Sequence, residues 1–78
     1  MDHKLIEKYR KDLMFCALGP VSKKEELLIS NLEDMLSHLE RGEAIPEEQL
    51  DRMRYKISRV SCFAEKYYPM YKFILENS

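Results

Sequence analysis

The chain has 78 residues, of which 45% are hydrophobic and 35% charged, and its formal net charge at pH 7 is −1. This length predicts a single small domain over residues 1–78 with a modest hydrophobic core. No apolar run is long enough to span a bilayer and the first residues lack the apolar core of a signal peptide, so we expect a cytoplasmic protein that does not engage membranes.

The charged residues are sorted along the chain although their charges nearly cancel. Residues 1–24 carry six Lys or Arg and three Asp or Glu, residues 25–51 carry one and nine, and residues 52–78 carry six and two. This segregation predicts surfaces of opposite charge, facing either one another within the fold or a charged partner.

The first predicted helix covers about residues 2–17. Asp2 is a typical N-cap residue, and Gly19-Pro20 ends the helical pattern. Lysines occupy one face of this helix, and apolar side chains occupy the opposite face. The basic face consists of Lys4, Lys8 and Lys11, and the apolar face of Leu5, Ile6, Tyr9, Leu13, Cys16 and Ala17.

The second predicted helix covers about residues 22–41. Ser22 and Glu25 have the spacing of a capping box, in which the serine hydroxyl accepts from the amide of Glu25 and the glutamate carboxylate accepts from the amide of Ser22. Gly42 stands where a helix C-terminal glycine is expected. The face predicted to be buried consists of Leu28, Ile29, Leu32, Met35, Leu36 and Leu39.

The strongest helical pattern follows, and we call it the seam. It predicts a third helix over about residues 46–68 that lies antiparallel to the second, because the connection between them is short. Pro69 has no amide hydrogen and its ring crowds the carbonyl of Glu65, so we expect a kink there and a helical extension over 69–76. The seam consists of Leu50, Met53, Ile57, Val60, Ala64, Tyr67, Tyr71 and Ile74.

These elements predict an all-α fold, a small three-helix bundle with an antiparallel helical hairpin and a Pro-kinked C-terminal extension. The seam is longer than the first helix can cover. A second copy of the chain would supply the missing cover, so we expect a homodimer.

The third predicted helix also carries a basic and aromatic face. Three interpretations are open: the first helix packs there, a protein partner or second copy docks there, or the face binds nucleic acid. Aromatic residues, Met and Arg are enriched at protein interfaces, which favours a protein partner among the functional interpretations. The residues predicted to bind the partner are Arg52, Arg59, Phe63, Lys66, Tyr68, Met70, Tyr71 and Phe73.

No motif predicts catalysis, a cofactor or a metal site. Cys16 and Cys62, like His3 and His38, are too far apart in sequence for the close ligand pairs of a zinc site. In a reducing compartment we expect both thiols to be free, and a disulfide between the first and last helices is the alternative. No Ser or Cys has the local context of an activated nucleophile, and each of the two glycines marks a helix end rather than a phosphate loop.

We therefore expect no enzyme and no cofactor, but a small protein–protein interaction or regulatory protein, adaptor-like or inhibitor-like. The alternative is a nucleic-acid-binding regulator that uses Lys4, Lys8, Lys11, Arg52, Lys56 and Arg59.

Overall fold

Four α-helices make up the fold in the computed structural model, which describes residues 2–78. They are α1 (His3–Leu18), α2 (Lys23–Glu40), α3 (Glu47–Arg59) and α4 (Ser61–Asn77). The predicted all-α class is confirmed.

The ends of α1 and α2 have the local chemistry that the sequence predicts. The Asp2 carboxylate accepts from the amides of Lys4 and Leu5 at 3.1 and 3.2 Å, and the Ser22 hydroxyl accepts from the amide of Glu25 at 3.2 Å. Gly42 ends α2 with φ of 70°, a left-handed conformation that other residues adopt at a cost. Local sequence therefore decides where these two helices begin and where α2 stops.

Consecutive helices run antiparallel, with α2 and α4 side by side in the middle. Gln49 near the start of α3 donates to Asp34 in the C-terminal half of α2 at 3.1 Å, and the Tyr71 hydroxyl of α4 donates to the Leu50 carbonyl of α3 at 3.1 Å. Helix α1 packs on α2 and reaches α4 through Tyr9, whose ring centroid is 5.2 Å from that of Phe73. The predicted hairpin of the second and third helices is thus present.

The core is built from one face of each helix. All six residues predicted to form the inward face of α2 are buried, as are five of the eight seam residues. The buried core consists of Ile6, Leu13, Leu28, Ile29, Leu32, Met35, Leu36, Leu39, Ile45, Met53, Ile57, Phe63, Tyr67, Met70, Tyr71 and Ile74.

The seam is interrupted at Val60 and not at Pro69, so the predicted third helix over 46–68 is wrong in its extent. Val60 has extended backbone angles, φ of −124° and ψ of 115°, between α3 and α4. A single helix across both spans would extend about 45 Å at about 1.5 Å per residue, whereas the longest dimension of the folded chain is 31 Å. The break lets α4 fold back and bury Tyr67 and Tyr71 against the other helices.

Helix α4 continues through Pro69, which corrects the predicted boundary between residues 68 and 69. Pro69 is exposed, on the side of α4 away from the buried Tyr67, Met70 and Tyr71. The Glu65 carbonyl that loses its intrahelical donor can therefore be hydrated, and burial of the opposite face offsets the local cost of the proline.

The fold leaves no uncovered seam that a second copy of the chain would have to cover. Met53, Ile57, Tyr67, Tyr71 and Ile74 of the seam are buried within one chain, because α4 covers what a continuous helix would leave open. The homodimer itself stays a prediction.

Candidate functional site

The residues predicted to bind a partner separate into two groups. Phe63, Met70 and Tyr71 are at most 8% exposed and belong to the core, and Phe73 is half-buried against Tyr9. These four side chains pack within the chain. The other four, which are exposed, are Arg52, Arg59, Lys66 and Tyr68.

A groove opens where the start of α2 faces the junction of α3 and α4, and we call it the cationic groove. Its apolar surface has a floor of Leu28 and Phe63, which are buried, and walls of Leu27, Tyr55 and Val60. Leu27 is 57% exposed and Tyr55 is 60% exposed. The groove encloses about 400 Å³ and is open to solvent on one side.

Three cationic residues, Lys24, Lys56 and Arg59, also line the cationic groove. The Arg59 guanidinium carbon lies 5.1 Å from the centroid of the Tyr55 ring, and an Arg59 nitrogen donates to the Tyr55 hydroxyl. This cation–π contact and hydrogen bond fix one wall of the groove. Lys24 and Lys56 form no ion pair within residues 2–78.

The structure therefore brings Arg59 and Phe63 together with residues that were not predicted from sequence to belong to the site. Leu27 could have been predicted from the sequence as a surface contact, because it is a large apolar residue next to, but outside, the predicted inward face of α2. Nothing in the sequence pairs Lys24 with Val60, because only the folding back of α4 brings them together. Lys66 and Tyr68 lie outside the groove lining.

Beside the groove, a polar cluster of Glu25, Lys66 and Tyr67 joins α2 to α4. One Glu25 carboxylate oxygen accepts from the Tyr67 hydroxyl at 2.5 Å and from the Lys66 ammonium at 3.1 Å. One half of the predicted capping box, the hydrogen bond from the Glu25 amide to the Ser22 hydroxyl, is present. The other half is wrong, because the Glu25 carboxylate accepts from side chains of α4 rather than from the Ser22 amide. The cluster holds the start of α2 against α4, next to the groove floor.

These contacts shift the pKa values of all three groups. The hydrogen bond from Tyr67 lowers the pKa of Glu25, and this effect is helped by Lys66 and opposed by burial. The hydrogen bond between Lys66 and Glu25 raises the pKa of Lys66. Burial first, then the hydrogen bond to Glu25, raises the pKa of Tyr67. At neutral pH the carboxylate is therefore ionised and the phenol protonated, as this donor–acceptor pair requires.

The exposed large apolar side chains concentrate at the same end of the fold as the groove. This end is formed by the C-terminal ends of α1 and α3 and the N-terminal ends of α2 and α4. Besides Leu27, Tyr55 and Val60, it carries Met14, Phe15 and Leu18. The acidic residues Glu40, Glu43, Glu47, Glu48 and Asp51 lie at the other end, around the α2–α3 connection. Five of the nine acidic residues between positions 25 and 51 therefore surround the α2–α3 connection.

Within residues 2–78, no group of three or more His, Cys, Asp or Glu side chains is placed to hold a metal ion. Cys16 is half-buried, Cys62 is exposed, and both are free thiols. Across the same residues, no helix combines the length and the apolar composition that crossing a bilayer requires.

Comparison of this chain with protein-family models, with curated proteins and with solved structures finds no match. Proposals about its function therefore rest on the geometry of the cationic groove and its surroundings.

Proposed function

We propose that this chain is a non-enzymatic interaction protein, adaptor-like or inhibitor-like, that binds a protein partner through the cationic groove. The observation that carries the proposal is the combination of a concave apolar surface with cations at its edge. Leu27 and Tyr55 leave large apolar areas in water, and partner binding would remove them. Contact surfaces of this kind place apolar anchors in pockets within a polar rim.

This proposal replaces the anchors predicted from sequence with exposed ones. Truncating Met70 or Tyr71 would damage the core, whereas Leu27 and Tyr55 can be changed at the surface. Arg59 is retained from the predicted set, and its guanidinium lies over the Tyr55 ring on the groove wall.

The test is a pull-down from a lysate of the native host with the tagged full chain and two variants. Leu27→Asp places a charge on the groove wall, and we expect it to reduce partner capture at least about tenfold, as loss of a central apolar contact does. Leu75→Asp is the matched control, because Leu75 is also an exposed helical leucine, on α4 outside the groove lining. Circular dichroism checks that both variants fold. Equal capture by Leu27→Asp and the unchanged chain would refute the proposal.

Nucleic acid is the second candidate, favoured by the three cations beside the exposed ring of Tyr55. The basic face of α1 adds little to such a site, because α3 packs on α2 and α4 rather than on α1. Nuclease treatment and a wash at higher salt separate the candidates in the same pull-down. Binding to phosphates falls steeply with salt, whereas capture through the apolar contacts of the groove persists.

A further inference from the structure

The cationic groove is shaped to take a large apolar side chain. Its floor of Leu28 and Phe63 belongs to the buried core, and Leu27 and Tyr55 form exposed walls. Its volume of about 400 Å³ lies at the lower end of the range for ligand pockets, roughly 300–1,000 Å³. An occupant therefore inserts one or two side chains rather than a whole helix.

The charged residues that line the groove are all cationic. Lys24, Lys56 and Arg59 line the groove, and the lining residues, all of them within the described range 2–78, include no Asp or Glu. Lys66, which lies outside the groove, has its charge matched by Glu25, whereas Lys24 and Lys56 have no such partner within that range. Two unmatched cations beside an apolar floor favour an anionic group next to the inserted side chain.

We propose that the cationic groove recognises an acidic peptide segment of a partner protein, with a Phe or Leu side chain inserted between Leu27 and Tyr55 and flanking carboxylates at Lys24 and Lys56. This rests on the proposed function and specifies the chemistry of its partner. Aspartate and glutamate flanking the anchor match the cations at the groove edge, and a concave floor suits a projecting side chain.

The same features disfavour nucleic acid as the occupant. Base stacking uses an accessible aromatic face, and the guanidinium of Arg59, 5.1 Å from the ring centroid, occupies one of the two faces of Tyr55. The floor offers aliphatic and buried aromatic surface without hydrogen-bonding groups to read a base edge.

The experiment is an NMR titration of the 15N-labelled full chain with three synthetic octapeptides. The probe has Phe-Leu at its centre and three acidic residues on each side. One control peptide has Ser-Ser at the centre, and the other has lysines in place of the acids. We expect saturable shifts at the amides of Leu27, Tyr55 and Val60 with the probe, and at least tenfold weaker binding of both controls.

Variants of the chain test the assignment of the cations. The double variant Lys24→Glu, Lys56→Glu should weaken binding of the probe at least tenfold, whereas Lys72→Glu, at an exposed position on α4 outside the groove lining, should leave it unchanged. Amide spectra of the unliganded variants establish that both remain folded.

Several outcomes would overturn the inference. Absence of saturable groove shifts, or equal binding of the lysine peptide, would remove the acidic segment as occupant. Stronger groove shifts with oligothymidylate or with phosphatidylserine vesicles would assign the groove to nucleic acid or to a membrane surface, and groove shifts on simple dilution would assign it to a second copy. The Leu27→Asp pull-down tests the broader proposal separately. If Leu27→Asp loses the partner but no peptide binds the groove, the interaction role stands and only the acidic peptide is ruled out.

Discussion

The hydrogen bond between Tyr67 and Glu25 gives the sharpest test of how this fold is held together. Tyr67 is 1% exposed, its hydroxyl lies 2.5 Å from the Glu25 carboxylate, and the Glu25 side chain is 13% exposed. Tyr67→Phe removes one oxygen without changing the shape of the ring. The variant therefore isolates the contact that joins the start of α2 to α4.

The expected loss in the free energy of unfolding is about 2 kcal/mol, because a hydrogen bond to a charged group contributes roughly 1.5–3 kcal/mol. The lower part of this range applies, since Lys66 and water still reach the carboxylate. For a chain of this size the melting temperature should fall by roughly 8–16 °C. In the Glu25→Gln background the acceptor is neutral, so the same change should cost only about 1 kcal/mol.

Urea unfolding followed by circular dichroism at pH 7 measures these changes, with Tyr68→Phe as the control. Tyr68 is the adjacent tyrosine, is exposed, and its hydroxyl makes no hydrogen bond within residues 2–78. Its loss should change stability by less than about 0.5 kcal/mol. Equal effects of Tyr67→Phe and Tyr68→Phe would refute the assignment of the contact.

The pH dependence of the difference follows from the lowered pKa of Glu25. A lowered pKa in the folded state contributes stability that is present above the pKa of the unfolded chain and is lost as pH falls through the folded pKa. The gap between the unchanged chain and Tyr67→Phe should therefore be widest near neutral pH and narrow in acid. A gap that widens below pH 4 would contradict this.

Two further substitutions test the backbone of the fold. Pro69→Ala restores a donor for the Glu65 carbonyl inside α4. The urea midpoint should therefore rise by an amount equivalent to about 1–3 kcal/mol. A lower midpoint would mean that the proline stabilises α4. Gly42→Ala should cost about 1 kcal/mol through its φ of 70° alone, because an added Cβ meets nothing within 4 Å. Gly19→Ala, at φ of −86°, is the control and should cost much less. Equal losses of stability in thermal melts would refute the assignment of strain to Gly42.

Features that depend on neighbouring residues were predictable from the sequence. The Asp2 and Ser22 caps, the Gly42 stop and the inward face of α2 each depend on side chains within a few positions of one another, and the structure has them as expected. The helical period from Leu50 to Ile74 likewise predicted a buried face. The period did not reveal that this face belongs to two helices. A single extended residue at Val60 leaves the steps of three and four residues between successive seam residues undisturbed.

The candidate site depended on that break. Arg59 was assigned from sequence as a binding residue and lies in the cationic groove, but Phe63, which was assigned to the same binding set, is buried in the groove floor. Lys24 and Leu27 were not assigned, because they are far from Arg59 along the chain. Glu25 was assigned to a local cap, and its carboxylate accepts instead from side chains of α4.

The sequence by itself determined the all-α class, the ends of α1 and α2, and the segregation of charge, because each follows from local hydrogen bonding, helical period and composition. Only the tertiary structure decided where the seam breaks, which aromatic residues are buried, and which cations surround one apolar groove. The physical reason is that burial is a property of the whole chain: α4 folds back at Val60 because a continuous helix would leave its apolar face in water.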